Sequence, residues 1–417
     1  MRPIPTLTAL MLSATAAAAQ STEIRVHYAI PTIWAETQAA LEEAFEAAHP
    51  DIDIVIDGPA ESYAEGVQRL LREAVAGNLP DVAFVGLNRW RVLEARGLTQ
   101  PLDPLMADMD PAEAGYTPAL LSLGRYQGTQ HALATSASTL VAYLNPDLVE
   151  RAGHDPAACP ESYDDLIALA ADIDALGEDV DGIWIDRHDW RFQSLLGAHG
   201  GRPMTPDETD ITFDSEAGID AASLYARFAE EAGMPGYIDD QARQAYPAGT
   251  LGVMMDSSSL LTRFTEAAGG RFDVTVCQLP VAASPGEVYF PTGGSGIVML
   301  TDESEAQAAA WEYIRFVTGP EGARIVVENT GYAPTNAQVL EDDAYLGAFY
   351  EANQNARTAH EQVARFAGPW YAYPGAEGVA VTDLIAEALW DITAGEAEPA
   401  PRVERLADNV RNRLEMN

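Results

Sequence analysis

Residues 81–85 read Asp81-Val82-Ala83-Phe84-Val85, apolar in four of five positions and without alternation. A strand covered on both faces has that pattern, and such strands belong to parallel sheets. Upstream, Gly77-Asn78-Leu79-Pro80 separates it from a helix-period segment, Tyr63 to Val75. Before that comes an alternating strand, with Ile52, Ile54 and Ile56 set among Asp51, Asp53 and Asp57. Further back, Trp34, Gln38, Leu41, Phe45 and Ala48 fall three or four apart, the spacing of one helix face. The first strand-like run is Ile24-Arg25-Val26-His27-Tyr28. Strands alternating with helices in this order predict an α/β fold built on a parallel sheet.

The pattern continues outward. Ser138–Asn145 is a long β-branched and aromatic strand, and Cys159-Pro160-Glu161-Ser162-Tyr163-Asp164-Asp165 begins a capped helix that runs to about residue 175. Further strands are expected at Leu251–Met255, Phe272–Leu279 and Gly296–Leu300, and a helix at Glu305–Val317. From Ala344 the chain reads mostly helical. A chain of 417 residues usually divides into about two domains.

Charge removes whole classes of partner. There are 24 Lys+Arg against 64 Asp+Glu, a net charge of −40, and every one of the cations is arginine. Such a field repels the phosphate backbones that a nucleic-acid binder must neutralise, and it disfavours anionic membrane surfaces. No nucleic-acid partner is expected. At the N-terminus, Arg2, an apolar stretch from Leu7 to Ala14 and the run Ala16–Ala19 form the pattern of a secretory signal peptide, residues 1–19. Export to the periplasm is expected. Cys159 and Cys277 could pair in an oxidising compartment, but two cysteines 118 positions apart define no framework; two separate thiols are the favoured reading.

Most catalytic signatures are missing. Without lysine there is no phosphate loop, and neither G-x-S-x-G nor H-E-x-x-H occurs. Asp172-Ile173-Asp174 starts like a calcium loop, but Leu176 and Ile183 stand where oxygen ligands belong. Asp186-Arg187-His188-Asp189 lacks a metal-ligand spacing. No metal, cofactor or catalytic residue is assigned. Small polar and aromatic residues do gather at strand ends: Tyr63, Ser136, Ser138, Trp184, Trp190, Ser257, Ser258, Gly293-Gly294 and Tyr332. Aromatic faces with a few hydroxyl and backbone donors suit a polyhydroxylated solute. Taken singly, each serine is read first as a helix cap, and either tryptophan could simply pack in the core.

Several stretches carry a resemblance: Phe45-Glu46-Ala47-Ala48-His49-Pro50, Gly77-Asn78-Leu79-Pro80-Asp81-Val82, Ala142-Tyr143-Leu144-Asn145-Pro146-Asp147, the Ser257–Leu260 helix start, Gly293-Gly294, the Trp311–Phe316 helix and Thr330-Gly331-Tyr332-Ala333-Pro334-Thr335. In this order they resemble the family 1 extracellular solute-binding proteins of ABC importers, nearest the branch that binds glycerol 3-phosphate and glycerophosphodiesters. The resemblance implies two α/β lobes joined by crossover strands, with solute held in the cleft. Residues 20–142 plus 283–335 would form one lobe, 143–282 plus 336–417 the other. It further implies ligand contacts at Tyr63, Ser138, Trp190, Ser257 or Ser258, Gly294 and Tyr332, a small-molecule solute, a membrane permease as partner, and a monomer. Two departures bear on the solute. Gly86-Leu87-Asn88 replaces an acidic residue, and Val379 stands where the branch has an arginine that grips phosphate. Arg365 or Arg89 could substitute for that arginine, while Trp370, Tyr371 and Tyr373 suit a sugar or an apolar head group.

Overall fold

The computed structural model describes residues 21–282, 288–341, 344–374 and 378–415; the signal peptide expected at 1–19 lies outside them. Two sheets organise the chain. The first has five strands in the spatial order Ile52–Ile56, Thr22–His27, Val82–Gly86, Ser295–Met299, Ala132–Ala134. Its first three strands run parallel, as the alternating strands and helices imply, and Ser295–Met299 runs antiparallel to both neighbours. The second sheet is mixed, ordered Thr275–Cys277, Leu140–Leu144, Leu251–Ser257, Asp181–Ile185, with only the last pair parallel. This is the two-lobe fold of periplasmic binding proteins.

Local chemistry explains the boundaries. The helix Tyr63–Ala76 ends at Gly77, whose φ of 68° is the left-handed conformation that glycine adopts without strain. Ser162 caps the helix Tyr163–Asp174 in a reciprocal box with Asp165, each backbone N–H bonded to the other's side chain at 3.1 Å. The strand Val82–Gly86 is buried throughout, with Phe84 on one core and Ala83 and Val85 on another. Val82–Gly86 therefore has both faces covered, as its composition predicts.

Cys159 and Cys277 form a disulfide, their Cα atoms 5.5 Å apart. This corrects the expectation of two separate thiols. Thr275–Cys277 is an edge strand of the second sheet, and the segment before Tyr163 folds back onto it; sequence separation carries no trace of that approach.

The chain passes between the sheets where its segments also bond to one another. Ala137 pairs with Ala333, and Ser138 exchanges both backbone bonds with Gly293, N–H to O at 3.0 and 2.9 Å. Nearby, Phe290–Thr292 pairs in parallel with Ala367–Pro369, which delivers Trp370 to the same place. Across the two sheets, Arg91 and Glu208 form a two-pronged ion pair, with Nη2 2.9 Å from Oε2.

Candidate functional site

The crossovers and the strand ends beside them hold most of the residues singled out in the sequence. Tyr63, at the first turn of its helix, lies over Gly86, where a Cβ would stand 3.1 Å from both the Tyr63 ring and Asn88 Oδ1. Its hydroxyl accepts from Trp34 Nε1 at 3.0 Å, leaving its own O–H to donate. Burial, reinforced by nearby Tyr332, pushes the Tyr63 phenol well above its usual range and keeps it a donor. Tyr332 stacks on Trp34 at 6.3 Å and 23°, so Trp34, Tyr63 and Tyr332 form one aromatic wall. Tyr332 and Ser258 also line a shared cavity of about 410 Å³.

Ser138 sits across the crossover from Gly293. A methyl group at Gly293 would meet Ser138 Oγ at 2.7 Å and the Trp190 ring at 3.6 Å, so glycine leaves that hydroxyl room. Ser138 Oγ makes no hydrogen bond among the described residues. Gly294 has φ 115°, and a Cβ there would run into Ser136 O at 2.2 Å; the backbone needs this glycine whatever else it touches.

Trp190 is 4% exposed, with Nε1 donating to Pro291 O at 2.9 Å. Its ring leans on Trp370, centroids 6.2 Å apart. Trp370 in turn donates to Asp189 Oδ2 at 3.1 Å, and Gln193 Nε2 holds both Asp189 oxygens. Burial lifts the Asp189 carboxyl to about 6 against the pull of those donors and of Arg89. Trp184, by contrast, is wholly buried with Nε1 on Tyr237 O, a core residue.

Ser257 and Ser258 are both engaged internally. Ser257 caps the short turn Ser258–Leu260, its Oγ 2.9 Å from Ser259 Oγ, and Ser258 Oγ accepts the Thr139 N–H at 3.2 Å. Beneath them lies a feature that sequence reasoning missed. Asp256, 0% exposed, bonds Arg191 Nη2 at 2.6 Å, Arg243 Nε at 2.8 Å and the Ser257 N–H at 2.7 Å. Burial alone would raise this carboxyl; the two guanidiniums override it and hold it below its ordinary value. An aspartate closing an otherwise apolar strand was the available signal, although its partners lie 65 and 13 positions away.

Position 379 lies in the helix Gly378–Thr393. Arg365 is exposed with its guanidinium 4.7 Å over the Phe366 ring. Asn88 lines a cavity of about 440 Å³ with Arg91, Glu208, Trp370 and Tyr371.

A family model described as bacterial extracellular solute-binding protein matches residues 40–358. A Brucella abortus (strain 2308) chain described as a binding protein is 27% identical over 412 residues, covering 94% of this chain and 93% of that one. The structure of the cyclic α-maltosyl-1,6-maltose binding protein from Arthrobacter globiformis is similar with a TM-score of 0.82 at 21% identity, over 95% of this chain and 100% of that one. UgpB from Mycobacterium tuberculosis, in complex with glycerophosphocholine, is similar with a TM-score of 0.79 at 22% identity, over 95% and 99%.

Proposed function

Because the chain belongs to the bacterial extracellular solute-binding proteins, we propose that it is the binding component of an ABC importer, taking up a carbohydrate or polyol derivative and passing it to the membrane permease. It acts as an exported monomer in the periplasm, after loss of residues 1–19. Its lobes are 20–142 plus 283–335 and 143–282 plus 336–417, with solute between them. Among the described residues no helix is long and apolar enough to cross a membrane.

One observation carries the choice of solute: Trp190 and Trp370 lean together at the crossover beside the unbonded Ser138 hydroxyl. Ring faces next to a free hydroxyl match the alternating apolar and hydroxyl surfaces of a sugar. Tyr63, Ser257, Ser258, Gly294 and Tyr332 complete the proposed contacts. The likeness to a maltosyl-maltose binder agrees with this reading, and the likeness to a glycerophosphocholine complex supports a polyol phosphodiester as the alternative.

No bond is made or broken in this function. Asp189, whose carboxyl is lifted to about 6, is 1% exposed and braces the Trp370 ring, so it offers no acid to a solute. Thermal stabilisation by a panel of sugars, polyols and glycerophosphodiesters tests the proposal; a ligand at 100 times its Kd adds about 2.7 kcal/mol. Release of product from a glycoside or diester would overturn it in favour of a hydrolase.

A further inference from the structure

The hairpin 204–211, closed by the Met204–Ile211 bridge, lies between two strands of the second sheet, Asp181–Ile185 and Leu251–Ser257, yet Glu208 on it reaches the first half of the molecule. It is a stiff arm. The Thr205 N–H donates to Asp210 O and the Glu208 N–H to Thr205 O, both at 2.9 Å. Thr205 Oγ1 accepts the Thr209 and Asp210 N–H groups at 3.2 and 3.1 Å. Arg411, on the helix Pro399–Arg413, ties down the base. It donates to Asp210 Oδ1 at 2.8 Å and to Ile211 O at 2.9 Å, and it pairs with Asp214 at 2.8 Å. Within this frame Glu208 is held at φ 59°, a left-handed conformation that is unfavourable for a residue with a side chain.

Arg91 is positioned to meet it. Its neighbour Trp90 is buried, with Nε1 donating to Leu123 O at 3.0 Å, and the Arg91 guanidinium carbon stands 4.0 Å over the Tyr126 ring. Two guanidinium nitrogens then meet the two Glu208 oxygens, the forked geometry that arginine makes and lysine cannot. Burial alone would raise the Glu208 carboxyl; Arg91 overrides it and keeps the pair ionised. The seam around the pair is hollow. Cavities of about 440 and 350 Å³ adjoin the hairpin, with Pro206 and Tyr371 lining both.

We propose that Arg91 and Glu208 form a latch that holds the two halves together before a solute arrives, and so sets the affinity for every solute in common. The latch acts on the balance between open and closed forms, not on the solute itself. A solute that binds the closed form has its apparent Kd raised by the inverse of the closed fraction. Loosening the latch therefore weakens all solutes by one factor. The braced hairpin keeps the carboxylate in place for this, and the hollow seam leaves little packing to oppose separation once the pair is lost.

This rests on the solute-capture reading, but its first test needs no solute. Small-angle X-ray scattering of the ligand-free protein should show a larger radius of gyration in Arg91→Gln and in Glu208→Gln than in the wild type. An unchanged circular dichroism spectrum separates opening from unfolding. The double variant should be no more open than either single one, since each alone already undoes the pair. Arg91→Lys, with the charge but not the fork, should fall between. Calorimetric titration with maltose and with glycerophosphocholine then reads the coupling. Whichever binds should lose about fivefold or more in both single variants, by the same factor, with no further loss in the double variant. A radius of gyration unchanged across the series overturns the latch. So does a loss of affinity confined to one single variant or to one of two bound probes, which would mark direct contact with the solute. If neither probe binds, the scattering series still decides the latch, and it is the capture of these solutes that falls.

Discussion

The first sheet has an apolar core on each face, one around Ile24, Val26, Phe84 and Ile297, the other around Ala83, Val85 and Val298. The second rests in one large core but adds a disulfide and an ion cluster in which buried Asp256 and Arg191 join half-buried Arg243 and Asp239. The first sheet instead buries His27, with neither ring nitrogen bonded. The difference follows from what each half brings to the cleft. The first contributes an aromatic wall already packed by Trp34. The second holds Trp190 and the Ser257 turn at a strand end, and its charges pin that end in place.

Breaking the staples should separate the halves. Reducing the disulfide, or Cys159→Ala with Cys277→Ala, removes closure of a 118-residue span, worth about 4.7 kcal/mol for a loop near 100 residues. Calorimetry should then show the second sheet's transition falling while the first stays; one transition moving as a unit would mean the halves melt together. Asp256→Ala strands two guanidiniums and should cost about 3–4 kcal/mol in urea denaturation, more than Asp256→Asn. A loss below about 1 kcal/mol would show that the cluster is solvated instead of structural.

Acidity sharpens the contrast because His27 in the first half and Asp189 in the second respond with opposite sign, while buried His360, lowered to about 4 in the second half, adds an acid loss of its own there. His27, held down to about 4 by burial first and Arg69 second, adds stability above about pH 6.5 that is lost as pH falls toward 4. Asp189, raised by burial to about 6, adds stability below about pH 4 that is lost as pH rises through 6. Each is on the order of 3 kcal/mol. His27→Leu should flatten the acid loss and Asp189→Asn the rise, read from Tm between pH 4 and 7; parallel profiles in wild type and variants would deny both assignments. The smallest effect is on binding: Trp190→Ala should weaken the solute by about tenfold, near 1.4 kcal/mol, and unchanged affinity would take Trp190 out of the site.

The sequence made legible what local periodicity determines. Alternation at Ile52–Ile56, the apolar run at Val82–Gly86 and the Ser162 box all reappear as elements with nearly the expected ends. Asp181–Ile185 escaped notice because Gly182 interrupts a short apolar run; a Cβ there would meet Ala170 O at 2.3 Å, so close packing placed a strand-weakening residue inside the strand. Trp34 reads as an ordinary buried helix position, and only the fold shows its Nε1 reaching Tyr63. Long-range facts left no local mark: the disulfide, the partners of Asp256, and the pairing of 290–292 with 367–369 that brings Trp370 to Trp190.

The bonds joining Ser138 to Gly293 and Ala137 to Ala333 lie where the two halves meet, the place about which the proposed importer component would have to turn. Atoms on a fulcrum travel least. Were the proposed solute to close the halves about these bonds, the Ser138 hydroxyl and the glycines beside it would keep one geometry through the swing, like a fixed gauge. The Arg91–Glu208 ion pair, which also joins the two halves, is the contact that the return swing would have to break.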